Sequence, residues 1–123
     1  MLRMDVVLTK EYRFEAAHRL PRVPAGHKCA RVHGHSYRVT LEARGAVNPE
    51  TGWLVDYAVL DDAWAPLHLR FDHHNLNDVP GLENSTSENL AIYIWSALRP
   101  QIPQLSAVTV CETFDSTCTY RGP

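Results

Sequence analysis

Two long tracts of strict alternation constrain this chain more than any other feature. Over residues 6–18, Leu8, Tyr12, Phe14 and Ala16 share one parity, and Thr9, Glu11, Arg13 and Glu15 take the other. Over residues 33–45, His33, His35, Tyr37, Val39, Leu41 and Ala43 alternate with Ser36, Arg38, Thr40, Glu42 and Arg44. Successive side chains of a strand point to opposite faces, so each tract reads as a strand with one face on a core and one on polar surroundings. Between them, residues 19–32 hold Pro21, Pro24 and Gly26 and read as a loop, made basic by Arg19, Arg22, Lys28 and Arg31.

The rest of the chain supplies a layer to cover the apolar faces. Tyr57, Leu60, Trp64, Leu67 and Phe71 recur at helical spacing, with Asp56 placed to cap them. Pro66 is expected to kink or end that helix, because it removes a donor and clashes with the carbonyl four residues back. Residues 72–84 read as a loop. A second helix is expected from about Ser85, with Ser85 and Glu88 as a capping box, Leu90, Ile94 and Leu98 as its stripe, and Pro100 beyond its end. Residues 105–114 and 116–121 read as two further strands. The order predicts an α+β fold, a four-stranded antiparallel sheet with two helices on one face. A length of 123 residues suits one domain over 1–123.

Composition narrows the class. Twelve basic residues against fourteen acidic give a net charge of −2, which argues against nonspecific nucleic-acid binding. The 45% hydrophobic content argues against disorder. No run approaches the roughly 18 apolar residues of a membrane span. Asp5, Thr9 and Lys10 interrupt the first ten residues, so no signal peptide is expected. Cys29, Cys111 and Cys118 make no disulfide framework, and a reducing cytoplasm is the expected setting. Seven histidines in so short a chain point to metal or proton-transfer chemistry.

Three constellations carry that chemistry. His33 and His35 project to one side of a strand, and His18 closes the preceding strand on its apolar parity, so hairpin pairing can gather three imidazoles. Zinc takes such nitrogens, and three protein ligands leave a position for substrate or water. Cys29 is a candidate fourth ligand, and hydrogen-bonded core histidines are the alternative. In Asp72-His73-His74 a carboxylate beside an imidazole can orient the ring for proton transfer, a solvated loop being the other reading. Glu112, among Val108, Val110 and Phe114, reads as buried, so it should meet the N–H donors of a ligand or a cation such as Arg121 or Arg38.

The segments FEAAHRL (14–20), CARVHGHSYRV (29–39), GWLVDY (52–57), DHHNLND (72–78), STSEN (85–89) and CET (111–113) occur in this order. Together they resemble the 6-pyruvoyl-tetrahydropterin synthase family, and within it the bacterial branch that makes 6-carboxy-tetrahydropterin for queuosine. The resemblance spans nearly the whole chain. It implies the tunnelling fold, in which the sheets of several protomers join into a barrel, with a hexamer of two stacked trimers and sites between subunits. It implies one Zn²⁺ per chain on His18, His33 and His35, a catalytic Cys29, an Asp72–His73 relay, and Glu112 as pterin anchor. It places Thr86, Ser87 and Glu88 beside the pterin ring. The implied substrate is 7,8-dihydroneopterin triphosphate, and Lys28 and Arg31 are candidates for its triphosphate. Cys111 receives no role.

Overall fold

The computed structural model describes residues 3–123. Strands β1 (Asp5–His18) and β2 (His33–Ala46) pair antiparallel along their full length, from Asp5 opposite Ala46 to His18 opposite His33. This register sets Phe14 against Tyr37, whose rings stack at 4.9 Å, and buries the apolar parity of both strands. The joining loop holds a short 3₁₀ turn at Lys28–Ala30.

Helix α1 (Tyr57–Phe71) is capped by Asp56, whose carboxylate accepts the Ala58 N–H at 2.9 Å. Pro66 does not end it. Pro66 and Asp62, whose carbonyl it deprives of a donor, are both exposed, while buried Leu67 and Phe71 hold the last turn to the core. Helix α2 (Ser87–Leu98) begins later than expected: Thr86, not Ser85, caps it, accepting the Asn89 N–H at 3.1 Å. Ser85 is wholly buried and serves a different purpose, described below.

Residues 72–84 also differ from the expected loop. His74–Asn75 form a short strand, β3, parallel to β1 at Ala16 and Ala17, followed by a 3₁₀ turn over Leu76–Asp78. Strands β4 (Leu105–Thr113) and β5 (Ser116–Tyr120) complete the sheet in the order β3-β1-β2-β4-β5. The sheet is therefore five-stranded and mixed, not four-stranded and antiparallel. Two residues carry too little periodicity to be read as a strand; β3 forms because the backbone after α1 is drawn onto the open edge of β1. Helix α1 packs on β1, α2 on β4 and β5, and one core joins Phe14, Tyr37, Leu41, Trp64, Phe71, Leu90 and Ile94. No helix among the described residues is long and apolar enough to cross a membrane.

Candidate active site and metal centre

The full-length hairpin register delivers the three histidines to one end of the sheet. His18 and His33 are paired residues, and His35 follows two positions along β2. Their rings meet edge to face, with centroids 4.7, 5.2 and 4.8 Å apart. One ring nitrogen from each lies within 4.8 Å of the others.

Hydrogen bonds fix which nitrogen two of the rings, His18 and His33, present. His18 Nδ1 lies 2.9 Å from the Ser85 carbonyl, which can only accept, so Nδ1 carries the proton and donates. His33 Nδ1 donates to the Arg31 carbonyl at 2.8 Å in the same way. In the neutral rings Nε2 then holds a lone pair. Burial lowers the pKa of both His18 and His35, which favours these neutral forms at neutral pH. His18 Nε2 and His35 Nε2 are buried and lack any hydrogen-bond partner among the described residues. Glu112 faces them, with carboxylate oxygens 3.4 Å from His18 Nε2 and 3.9 Å from His35 Nε2. The bare His18 Nε2 facing a carboxylate is unfavourable unless a cation stands between them, so these residues fit a divalent metal. Donation of the far ring nitrogen to a carbonyl is the usual support of a metal-bound histidine.

Cys29 stands outside this cluster; its thiol forms no hydrogen bond among the described residues. The gathered set is three imidazoles, as an open metal site requires. Glu112 is half-buried rather than sealed in the core, because a register shift beyond Val110 turns the end of β4. The two cations considered for it are engaged elsewhere: Arg121 with Glu42 at 3.0 Å and Arg38 with Glu11 at 3.5 Å. Glu112 instead walls a cavity of about 400 Å³ with Ser87, Glu88 and Cys118. Thr86 has its hydroxyl committed to the α2 cap.

Asp72 and His73 do touch. Asp72 Oδ2 accepts from His73 Nδ1 at 2.9 Å, and Oδ1 accepts the Glu15 N–H at 2.9 Å. The Glu15 N–H and His73 together hold the Asp72 carboxyl below the usual carboxylate range. His73 has φ +59° and donates its own N–H to the Glu15 carbonyl, so this exposed imidazole is seated on β1 by its backbone. His73 of this pair lines a second cavity, of about 540 Å³, with Glu15, Gly34, His35 and Ser36. No side-chain hydrogen bond joins either residue to Cys29 among the described residues. Lys28 and Arg31 are exposed and form no ion pair there. Reading the sequence missed Ser85 and Tyr37, whose hydroxyl is 3.3 Å from His18 Nδ1. Ser85 had a signal, a small polar residue just before a helix, but that signal equally suits a cap.

Comparison with known proteins gives the family. The family model for 6-pyruvoyl tetrahydropterin synthase matches residues 7–123. A 6-carboxy-5,6,7,8-tetrahydropterin synthase of Synechocystis is 41% identical, over 95% of this chain and 94% of its own. A 6-pyruvoyl tetrahydrobiopterin synthase of Drosophila melanogaster is 36% identical, over 94% of this chain and 79% of its own. The structure of 6-pyruvoyl tetrahydropterin synthase from Caenorhabditis elegans superposes with a TM-score of 0.91 at 34% identity, covering 100% of both chains. A lyase of pterin chemistry is what the sequence led us to expect, and these relatives bear that out. The chain belongs to the 6-pyruvoyl tetrahydropterin synthase family.

Proposed function

We propose that this chain, a single domain over 1–123, is a zinc-dependent lyase. It converts 7,8-dihydroneopterin triphosphate and one water to 6-carboxy-5,6,7,8-tetrahydropterin, acetaldehyde and triphosphate, as an early cytoplasmic step toward queuosine. One observation carries the reading: the unpartnered Nε2 atoms of His18 and His35 face Glu112, which also walls the adjoining cavity. A metal position and a ligand-anchoring carboxylate are thus neighbours. The relative from Synechocystis supports the carboxy product.

His18, His33 and His35 would hold one zinc per chain. Bound zinc supplies Lewis-acid stabilisation of negative charge on the substrate's side-chain oxygens. Glu112 accepts the N–H groups of the pterin, with Thr86, Ser87 and Glu88 around the ring. That positioning alone can lower a barrier by several kcal/mol, up to about 7–11. Cys29, as thiolate, takes the side-chain proton. His73, held at Nδ1 by Asp72, presents Nε2 to return or relay it. Lys28 and Arg31 meet the triphosphate. No hydrogen bond joins Cys29 to the Asp72–His73 pair among the described residues, which supports a homo-oligomer whose neighbours complete each site; the family resemblance makes it a hexamer of two stacked trimers.

The second reading is 6-pyruvoyl-tetrahydropterin synthase activity on the same substrate, favoured by the names of the fruit-fly and nematode relatives. Mass spectrometry of the product decides. The carboxy pterin with acetaldehyde is expected. A pyruvoyl pterin without acetaldehyde assigns the second reading. No release of triphosphate by the zinc-loaded protein refutes both and leaves a non-catalytic zinc- and pterin-binding module.

A further inference from the structure

Asn77 lies outside both cavities and none of the roles above uses it. Its side chain is nevertheless fully occupied. Oδ1 accepts the Arg19 N–H at 2.8 Å. Nδ2 faces the Arg19 carbonyl at 3.0 Å, the Glu83 carbonyl at 3.1 Å and Ser85 Oγ at 3.1 Å. One amide therefore ties the residue after β1 to the residues before α2. Asn77 is itself fixed: its N–H donates to Asn75 Oδ1 at 2.9 Å, and the adjacent Leu76 is wholly buried.

The far side of this knot is His18. Its Nδ1 donates to the Ser85 carbonyl at 2.9 Å, with Ser85 Oγ at 3.1 Å. Ser85 is wholly buried and His18 is 1% exposed, so water does not substitute for either contact. If Ser85 moved, Nδ1 would lose its two nearest acceptors and keep only the Tyr37 hydroxyl at 3.3 Å, and the proton could pass to Nε2, the nitrogen that faces His35 and Glu112. A ring protonated there has no lone pair to give a metal. Neutral imidazole tautomers are close in energy, so the local hydrogen bond decides between them.

We propose that Asn77 is a positioning residue for the metal centre, acting through Ser85 to hold His18 as the Nδ1–H tautomer with Nε2 bare. This rests on the metal reading of the three histidines for its consequence, but the tautomer itself does not. Two measurements on the full chain keep these separate. Zinc affinity is measured by competition with a chromophoric chelator. The His18 tautomer is read in the metal-free protein from long-range ¹H–¹⁵N correlation spectra.

Asn77→Ala is expected to weaken zinc binding by about 10- to 100-fold, the usual cost of losing an outer-shell partner. It should also turn His18 from a single Nδ1–H tautomer into a mixture. Ser85→Ala removes one hydroxyl and Asn77's hold on that residue, so the same two changes are expected, and it serves if Asn77→Ala does not fold. Folded variants with unchanged zinc affinity and an unchanged His18 tautomer overturn the proposal. Wild-type protein that binds no zinc overturns the metal reading instead, and a tautomer that still shifts in the variants upholds Asn77's positioning of His18.

Discussion

Glu112 offers the sharpest test of the candidate site, because its carboxylate has no lysine or arginine partner among the described residues. Glu112→Gln keeps the shape of the side chain and changes one acceptor oxygen to a donor. A pterin edge presents two N–H donors side by side, and a carboxylate accepts both. A hydrogen bond to a charged group contributes about 1.5–3 kcal/mol. In the variant one of the two bonds becomes a donor facing a donor, so at least that much is lost. At 1.4 kcal/mol per decade this is a roughly 10- to 150-fold weaker Kd. Fluorescence titration with neopterin, which lacks the triphosphate, isolates the ring contacts. Zinc content of the same samples provides the control, since Glu112 lies 3.4 Å from His18 Nε2 and could otherwise be acting as a metal ligand. Weaker neopterin binding with zinc retained is expected. Unchanged neopterin affinity refutes the anchoring role, and loss of zinc in the variant makes Glu112 a ligand.

Further outcomes follow from other parts of the molecule. Asp72→Asn keeps an acceptor for the Glu15 N–H but sets an amide donor against His73 Nδ1–H. Turnover should fall by about 10²–10⁴, the usual worth of a proton-transfer group, with zinc content unchanged. Zinc at 100 times its Kd should stabilise the native state by about 2.7 kcal/mol, seen as a rise in Tm that chelation reverses and His33→Ala abolishes. Lys10, with Nζ 2.7 Å from Asp61, and the Tyr12 hydroxyl, also at 2.7 Å, hold the Asp61 carboxyl below its ordinary pKa. Its stabilising contribution is thus present above the unfolded value of about 3.9 and is lost as pH falls through the lower native value. Urea unfolding from pH 6 to pH 2 should show a shallower acid loss for Asp61→Asn. Gly122 has φ +92°, and a Cβ there would meet the Trp95 ring at 2.6 Å. Gly122→Ala should cost about 1–3 kcal/mol in urea unfolding, as overpacking does.

The sequence by itself determined a good deal. Strict alternation over two long tracts set the hairpin, its buried parity and the placing of His18 with His33 and His35, because side-chain direction in a strand is a local property with a period of two. Asp56 was legible as a cap, and the stripe from Leu60 to Phe71 was legible as a core face. The Asp72–His73–His74 run was visible as residues but not as a contact. Their hydrogen bonding depends on Glu15 of a strand more than fifty positions away and on a left-handed backbone at His73. Pro66 could kink or end its helix, and it does not end it, because a local rule does not include which side of the helix meets water. Ser85 misled because a serine before a helix can cap it or turn inward, and only the packing of α2 against the end of the hairpin decides. What the tertiary structure alone decided is therefore the chemistry of the site: which ring nitrogen is bare, which carboxylate faces it, and which cation does not. Those are relations between segments remote in the chain, set by register and packing, and no periodicity encodes them.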